Sequence, residues 1–159
     1  MKYLLDSNIF IEAKNRYYGF DICPGFWEWL EESDEVKSLD EVEKELAAGE
    51  DDLSKWVKDH LKSSFFYPKS HEIQENYSEI VEHVMKLDVH ESAKDSFLSV
   101  ADGWLIAAAM HFQVPVVTHE VSTPGAKKHI KLPDVARHFQ VSCFDTFEML
   151  RRERVKFVR

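Results

Sequence analysis

The chain has little cysteine, glycine or proline, and each shortage closes off a class of protein. Two cysteines, Cys23 and Cys143, cannot build a disulfide scaffold and lack the close spacing of metal ligands. They are expected reduced, in a cytoplasm. Five glycines and five prolines among 159 residues exclude low-complexity and collagen-like chains. No apolar run approaches the ~18 residues of a membrane span. The charge at Asp6 breaks the first apolar stretch too early for a signal peptide. Eight histidines show no paired spacing for zinc.

What is present is a composition able to fold. Hydrophobic residues make up 44% and aromatics 13%, enough for a real core and unlike a disordered tail. With no internal repeat and no linker, residues 1–159 read as a single domain of ordinary size. Charge is unevenly spread. Residues 1–100 carry 11 Lys and Arg against 23 Asp and Glu, whereas residues 101–159 carry 9 against 6. The molecule as a whole repels a polyanion, while its last third can present a local positive surface.

Short apolar runs alternate with amphipathic segments. Lys2 to Leu5 reads as a strand ending at Asp6-Ser7-Asn8, residues that favour turns and helix caps. A helix follows from Ile9, with Ile9, Phe10, Ala13 and Tyr17 on one face and Gly19 at its stop. Pro24 opens a second helix with Phe26, Trp27, Trp29 and Leu30. Val36–Ser38 reads as a strand, residues 40–48 and 51–61 as helices, and Phe65–Tyr67 as a strand or apolar turn. Residues 71–87 form a longer helix, and an apolar one begins at Asp102. Val114–Thr118 has the composition of a buried strand. A basic stretch, a turn at Pro133-Asp134, a strand at Val141–Cys143 and a last helix from Asp145 complete the chain. Strands alternating with helices predict a parallel sheet sandwiched between helices.

Four acids fall at strand ends or helix starts. Asp6 follows the first strand, Asp102 opens the apolar helix, and Glu120 stands two residues beyond the Val116-Val117-Thr118 run. Glu45 lies in the helix after Val36–Ser38. In parallel α/β sheets the functional crevice lies outside the carboxyl ends of the strands. Acids gathered there repel one another unless a cation neutralises them, and carboxylate oxygens suit Mg²⁺ or Mn²⁺. Each acid also has a purely structural role open to it. Asp6 can cap the next helix, Asp102 can complement a helix dipole, Glu45 can face solvent like Glu41 and Glu43, and Glu120 can be an ordinary loop acid.

The four segments together resemble the motifs of PIN domains, in the family's order and over residues 3 to about 120. Tyr3-Leu4-Leu5-Asp6-Ser7-Asn8-Ile9-Phe10-Ile11 is similar to the first motif and Val42-Glu43-Lys44-Glu45-Leu46 to the second. Asp102-Gly103-Trp104-Leu105-Ile106-Ala107-Ala108-Ala109 is similar to the third, and Val116-Val117-Thr118-His119-Glu120 to the fourth. Asn15-Arg16-Tyr17-Tyr18 and Cys23-Pro24-Gly25-Phe26-Trp27 resemble a toxin–antitoxin branch of PIN-like proteins. The resemblance implies a three-layer α/β/α sandwich around a mainly parallel sheet, and a Mg²⁺- or Mn²⁺-dependent endoribonuclease that hydrolyses RNA with metal-activated water. It implies Asp6, Glu45, Asp102 and Glu120 as metal ligands. Ser7, Asn8 and Thr118 would orient carboxylates or water. The implied partners are RNA and a cognate antitoxin protein, with a homodimer as a further expectation. The family often carries Asp where Glu120 stands; the longer side chain would reach a metal directly or through water. Glu41 is the substitute if the second motif is displaced by one helical turn.

Two other readings belong to different classes. A catalytically degenerate PIN-like binding module would act through protein partners. A phosphoryl-transfer enzyme with Asp6 as nucleophile would usually carry a second acid where Asn8 stands. Lys127, Lys128 and Lys131, with His129, are candidate phosphate contacts. The basic tail Arg151–Arg159 is a candidate surface for nucleic acid or a partner. Trp27, Trp29, Trp56 and Trp104 could stack bases if exposed, although their helical spacing favours core packing.

Overall fold

The computed structural model describes residues 1–158, which leaves Arg159 of the basic tail outside the described residues. Five short strands run parallel in the order β3-β2-β1-β4-β5. They are β1 (Tyr3–Leu5), β2 (Val36–Leu39), β3 (Phe66–Tyr67), β4 (Val116–Val117) and β5 (Cys143–Phe144). Central β1 is buried throughout, with Leu4 and Leu5 fully so. Each such side chain contributes about 1.5–3 kcal/mol relative to exposure. Leu4 pairs with Lys37 on one side and Val116 on the other.

Connections between parallel strands cross right-handedly, so the direction of each step across the sheet fixes the face its helices cover. From β1 outward to β3 the chain steps one way, through α1 (Ser7–Glu12), a π-helical turn (Ala13–Tyr17), α2 (Pro24–Glu32), α3 (Asp40–Ala48) and α4 (Asp52–His60). After β3 it crosses back past β1 and continues to β5. On this path lie α5 (His71–Met85), α6 (Glu91–Leu98), α7 (Asp102–Phe112) and α8 (Leu132–His138), with α9 (Thr146–Arg152) closing the chain. The result is the expected three-layer α/β/α sandwich. The step direction reverses between β1 and β4, which makes the gap beyond their carboxyl ends the topological switch point.

Helix α7 buries Leu105, Ile106 and three consecutive alanines. Small side chains let it lie close to both the sheet and α5, where Asn76 Nδ2 donates to the Ala107 carbonyl at 3.1 Å. Gly103 lets this contact close, because a Cβ there would stand 3.0 Å from the Tyr77 ring and push it back by a few tenths of an ångström. On the other face Trp27 is buried against Trp56 (centroids 4.8 Å) and Phe20 (4.3 Å). Trp104 stacks on Tyr77 at 3.6 Å. Trp29, Trp56 and Trp104 are half-buried and packed on the core, so the tryptophans serve packing.

The structure departs from the sequence expectations in several places. The helix read over 71–87 ends at Met85, and a separate α6 follows. The turn expected at Pro133-Asp134 is the first turn of α8, where Pro fits because its missing N–H has no helical partner to lose. The strand expected at Val141–Cys143 begins two residues later, and that expected at Val114–Thr118 shrinks to Val116–Val117. Ile9, Phe10 and Ala13 are buried as their spacing requires, but Tyr17 is 44% exposed. The wider π-helical turn after Glu12 rotates Tyr17 off that face. Among the described residues, no helix is long and apolar enough to cross a membrane.

Candidate active site

The switch point is occupied by a bonded pair. Asp6 leaves β1, Thr118 leaves β4, and the Thr118 hydroxyl donates to Asp6 Oδ2 at 2.8 Å. The other oxygen, Asp6 Oδ1, accepts from the Ser7 amide at 2.7 Å, with the Ser7 hydroxyl at 3.4 Å. Asp6 therefore caps α1 while lying buried at the switch point. Thr118 Oγ1 is saturated: besides donating to Asp6 it accepts from Asn8 Nδ2 and from the Glu120 amide, each at 3.1 Å. Asn8 Oδ1 accepts from the His119 amide at 3.1 Å. Ser7, Asn8 and Thr118 thus hold the β1 and β4 ends in fixed relation. They orient Asp6 and set the direction in which Glu120 leaves the strand.

Glu45 and Glu120 serve two helices that begin without side-chain caps of their own. Glu45 Oε1 accepts from the Ala101 amide at 2.7 Å, immediately before α7. Glu120 Oε2 accepts from the Leu132 amide at 2.7 Å, at the first residue of α8. Free amides at a helix start demand acceptors, and here acids distant in sequence supply them. Asp102 lies at the start of α7, beside Glu120 and Lys131 in a cleft of about 170 Å³.

Electrostatics tie the four acids together. Burial raises the Asp102 carboxyl to about 8, with the charges of Asp6, Glu120 and Glu45 adding to the rise and Lys131 opposing it. Burial also raises Asp6 to about 6; the Thr118 and Ser7 hydrogen bonds work against this, and Glu120 and Glu45 work with it. The pocket is short of positive charge. Among the described residues no three His, Cys, Asp or Glu side chains stand ready to hold a metal ion. One oxygen of Glu45 and one of Glu120 are instead committed to helix amides.

The remaining candidates separate clearly. Glu41 is paired with Lys44 (2.9 Å) and Lys69, which hold its carboxyl below the usual range. It sits in a different cluster from the four acids. Lys127, in the loop before α8, binds the Asp88 side chain at 2.9 Å and its carbonyl at 2.8 Å, which ties it to the turn between α5 and α6. Lys128 is exposed. Of the three lysines, Lys131 is the one beside the acids. The Cys143 thiol is pushed up to about 11 by burial, with Asp6 and Glu120 adding, so it is not a reactive thiolate.

Residues 3–157 match the protein family described as a domain of unknown function, DUF4411. The chain belongs to the DUF4411 family. No curated protein matches it significantly. Among solved structures, it resembles a chain of VapBC2 from Rickettsia felis, crystallised bound to a DNA fragment from its promoter. That match has a TM-score of 0.56 and 15% identity, and covers 91% of this chain and 98% of the other. It also resembles a chain of FitAcB from Neisseria gonorrhoeae, with a TM-score of 0.52, 17% identity and coverage of 89% and 96%. The fold of this DUF4411 chain is therefore PIN-like.

Three supporting features of this DUF4411 site were not read from its sequence. Ser38, fully buried in β2, donates to the Leu5 carbonyl at 2.6 Å and fixes the end of β1 from its other side. Asp134 bonds the Ser122 hydroxyl and, at 2.9 Å, the Thr123 amide, which anchors the loop after Glu120. Gly103 admits Tyr77 beside the start of α7. A buried serine in an apolar strand was a legible signal for the first; the other two depend on contacts between distant segments.

Proposed function

We propose that this protein is a Mg²⁺- or Mn²⁺-dependent endoribonuclease, the toxin of a toxin–antitoxin pair. Asp6, Glu45, Asp102 and Glu120 would hold the cation. The observation that carries the reading is the gathering of acids at the switch point, with Asp6 bonded to Thr118 and Asp102 sharing a cleft with Glu120 and one lysine, Lys131. The donor set fits a hard divalent ion: it is all oxygen, with Asp6 buried and Glu45, Asp102 and Glu120 half-buried. When bound, such an ion supplies a water of lowered pKa and stabilises charge on a phosphodiester.

The chain's own groups prepare the site. Thr118 and the Ser7 amide fix both oxygens of Asp6, so its orientation does not depend on a ligand. Glu45 and Glu120 are held at helix starts by single hydrogen bonds, leaving one oxygen of each uncommitted to those amides. Lys131 stands in the same cleft and contributes a positive charge toward a phosphate. The acidic pocket by itself repels RNA, so substrate affinity is expected to depend on the divalent ion.

The PIN-like fold shared with VapBC2 and FitAcB supports the toxin reading and a protein antitoxin as partner; a homodimer is compatible with it. One experiment tests the activity. Purified protein is incubated with single-stranded RNA and Mn²⁺ or Mg²⁺, with and without chelator, beside Asp6→Asn. Cleavage that requires the ion and disappears in the variant supports the proposal; undiminished cleavage in the variant refutes it. The bonds that commit Glu45 and Glu120 to helix amides favour a second reading, a binding module with a degenerate site. On that reading neither ion promotes cleavage nor raises the thermal stability of the chain.

A further inference from the structure

Beside the acids lies an aromatic group that the proposed chemistry leaves unused. Tyr17, the last residue of the π-helical turn after α1, is 44% exposed and stands apart from the hydrophobic core. Its neighbour Tyr18 behaves differently, stacking on buried Phe26 at 4.6 Å. Phe147 of α9 meets the Tyr17 ring edge-on at 5.1 Å, and His119 lies tilted at 5.6 Å. His119 is itself fixed, by the Asn8 side chain on its amide and by Thr146 Oγ1 at 2.9 Å from Nε2. The ring is thus braced from residues that also build the Asp6–Thr118 bridge. The Tyr17 hydroxyl has no hydrogen-bond partner among the described residues, so bonding does not explain its position. π-Helical turns often occur at functional sites, and this one rotates Tyr17 outward.

The surroundings suit a polyanion. Arg16 is adjacent and 70% exposed, held toward Glu12 at 3.5 Å. Arg151, one helical turn beyond Phe147, is exposed and acts on Tyr18. The nearby acids have partners: Glu12 pairs with Arg16, and Asp145 caps α9. An exposed ring with Arg16 adjacent in sequence and Arg151 close to neighbouring Tyr18, beside the proposed cation site, combines stacking with backbone attraction as in single-strand binding surfaces.

We propose that Tyr17 is a nucleobase platform, stacking an unpaired base of single-stranded RNA while Arg16 and Arg151 contact its phosphates. The proposal rests on the ribonuclease reading for its substrate class. Tyr17 is a specificity-determining residue and touches no reacting atom.

The test measures affinity for two labelled eight-nucleotide RNAs, one of adenosines and one of abasic ribose phosphates, by fluorescence anisotropy with Ca²⁺ present. Cleavage with Mg²⁺ is followed separately. Tyr17→Ala is expected to weaken adenosine binding about tenfold, to leave abasic binding unchanged, and to raise KM with little change in kcat. Tyr17→Phe keeps wild-type affinity, because the ring and not the hydroxyl carries the contact. Arg16→Ala and Arg151→Ala weaken both oligomers alike and reduce the salt dependence. Equal affinity of wild type and Tyr17→Ala for adenosines overturns the proposal and leaves the ring to a protein partner; so does an equal loss in Tyr17→Phe. The two readings fail separately. Adenosine discrimination without any cleavage sinks the nuclease and keeps the platform, whereas cleavage indifferent to Tyr17 does the reverse.

Discussion

Two acidic clusters share the carboxyl edge of this sheet, and the chain treats them differently. Beyond β2 and β3, Asp40 and Glu41 meet Lys69, whose Nζ is 3.2 Å from Asp40 and lies over the Trp104 ring at 5.2 Å. Lys69 and Lys44 hold Glu41 below the usual carboxylate range. Beyond β1 and β4, Asp102 shares its cleft with Lys131 and His129, and both Asp6 and Asp102 are raised. One cluster carries its counter-ion in the sequence and is structural. The other is opposed by Lys131 without a salt bridge among the described residues, and it is where the proposed cation would sit.

The largest expected effect separates the clusters by activity. Asp6→Asn should lower RNA cleavage about a thousandfold while the fold persists, since Asn also caps helices. Glu41→Gln should leave cleavage within a few-fold of wild type. Rates measured on one RNA check both, and equal losses would erase the distinction.

Stability against pH should have opposite signs in the two places. Asp102 ionises near 4 when unfolded but only at about 8 when folded. Its contribution is complete below the first value and is lost as pH rises through the second. Melting of the chelated protein should therefore worsen between pH 5 and 8 (chosen to lie inside this window). Asp102→Asn should raise the Tm at the upper limit by about 5 °C. Glu41 is depressed, so its contribution is present above its unfolded pKa and is lost as pH falls through its folded value. Lys69→Met removes that cation at a cost of about 1 kcal/mol, read by denaturant unfolding at neutral pH. Parallel pH profiles for wild type and Asp102→Asn would break the comparison.

The smallest effect concerns the basic loop. Lys131→Ala should weaken RNA binding a few-fold and lower the salt slope by about one. Lys127→Ala should leave binding unchanged, because its ammonium is engaged with Asp88. Salt-dependent anisotropy distinguishes them.

How much of this was legible follows from where the information sits. The switch-point residues were readable because Asp6 and Thr118 each follow a buried apolar run by one residue, and parallel strands deliver both to one edge. The alternation of strand and helix likewise carried the layers. Helix α6 was not evident, since it is short and buries little beyond Ala93, Lys94 and Phe97. The structural tasks of Glu45 and Glu120 were hidden because their amide partners, Ala101 and Leu132, are distant in sequence from at least one of the elements concerned. Tyr17 looked like a core residue because an i, i+4 spacing from Ala13 assumes an α-helix, and the π-helical turn breaks that period.

On the proposed function, carboxylates from four separate segments share one divalent cation. Calorimetric titration of the chelator-stripped protein with Mn²⁺ tests it most directly, beside Asp6→Asn, Asp102→Asn and Glu41→Gln. Wild type and Glu41→Gln should bind the ion saturably, and the two aspartate variants should not bind it. No heat in wild type, or equal binding in all four proteins, would contradict it.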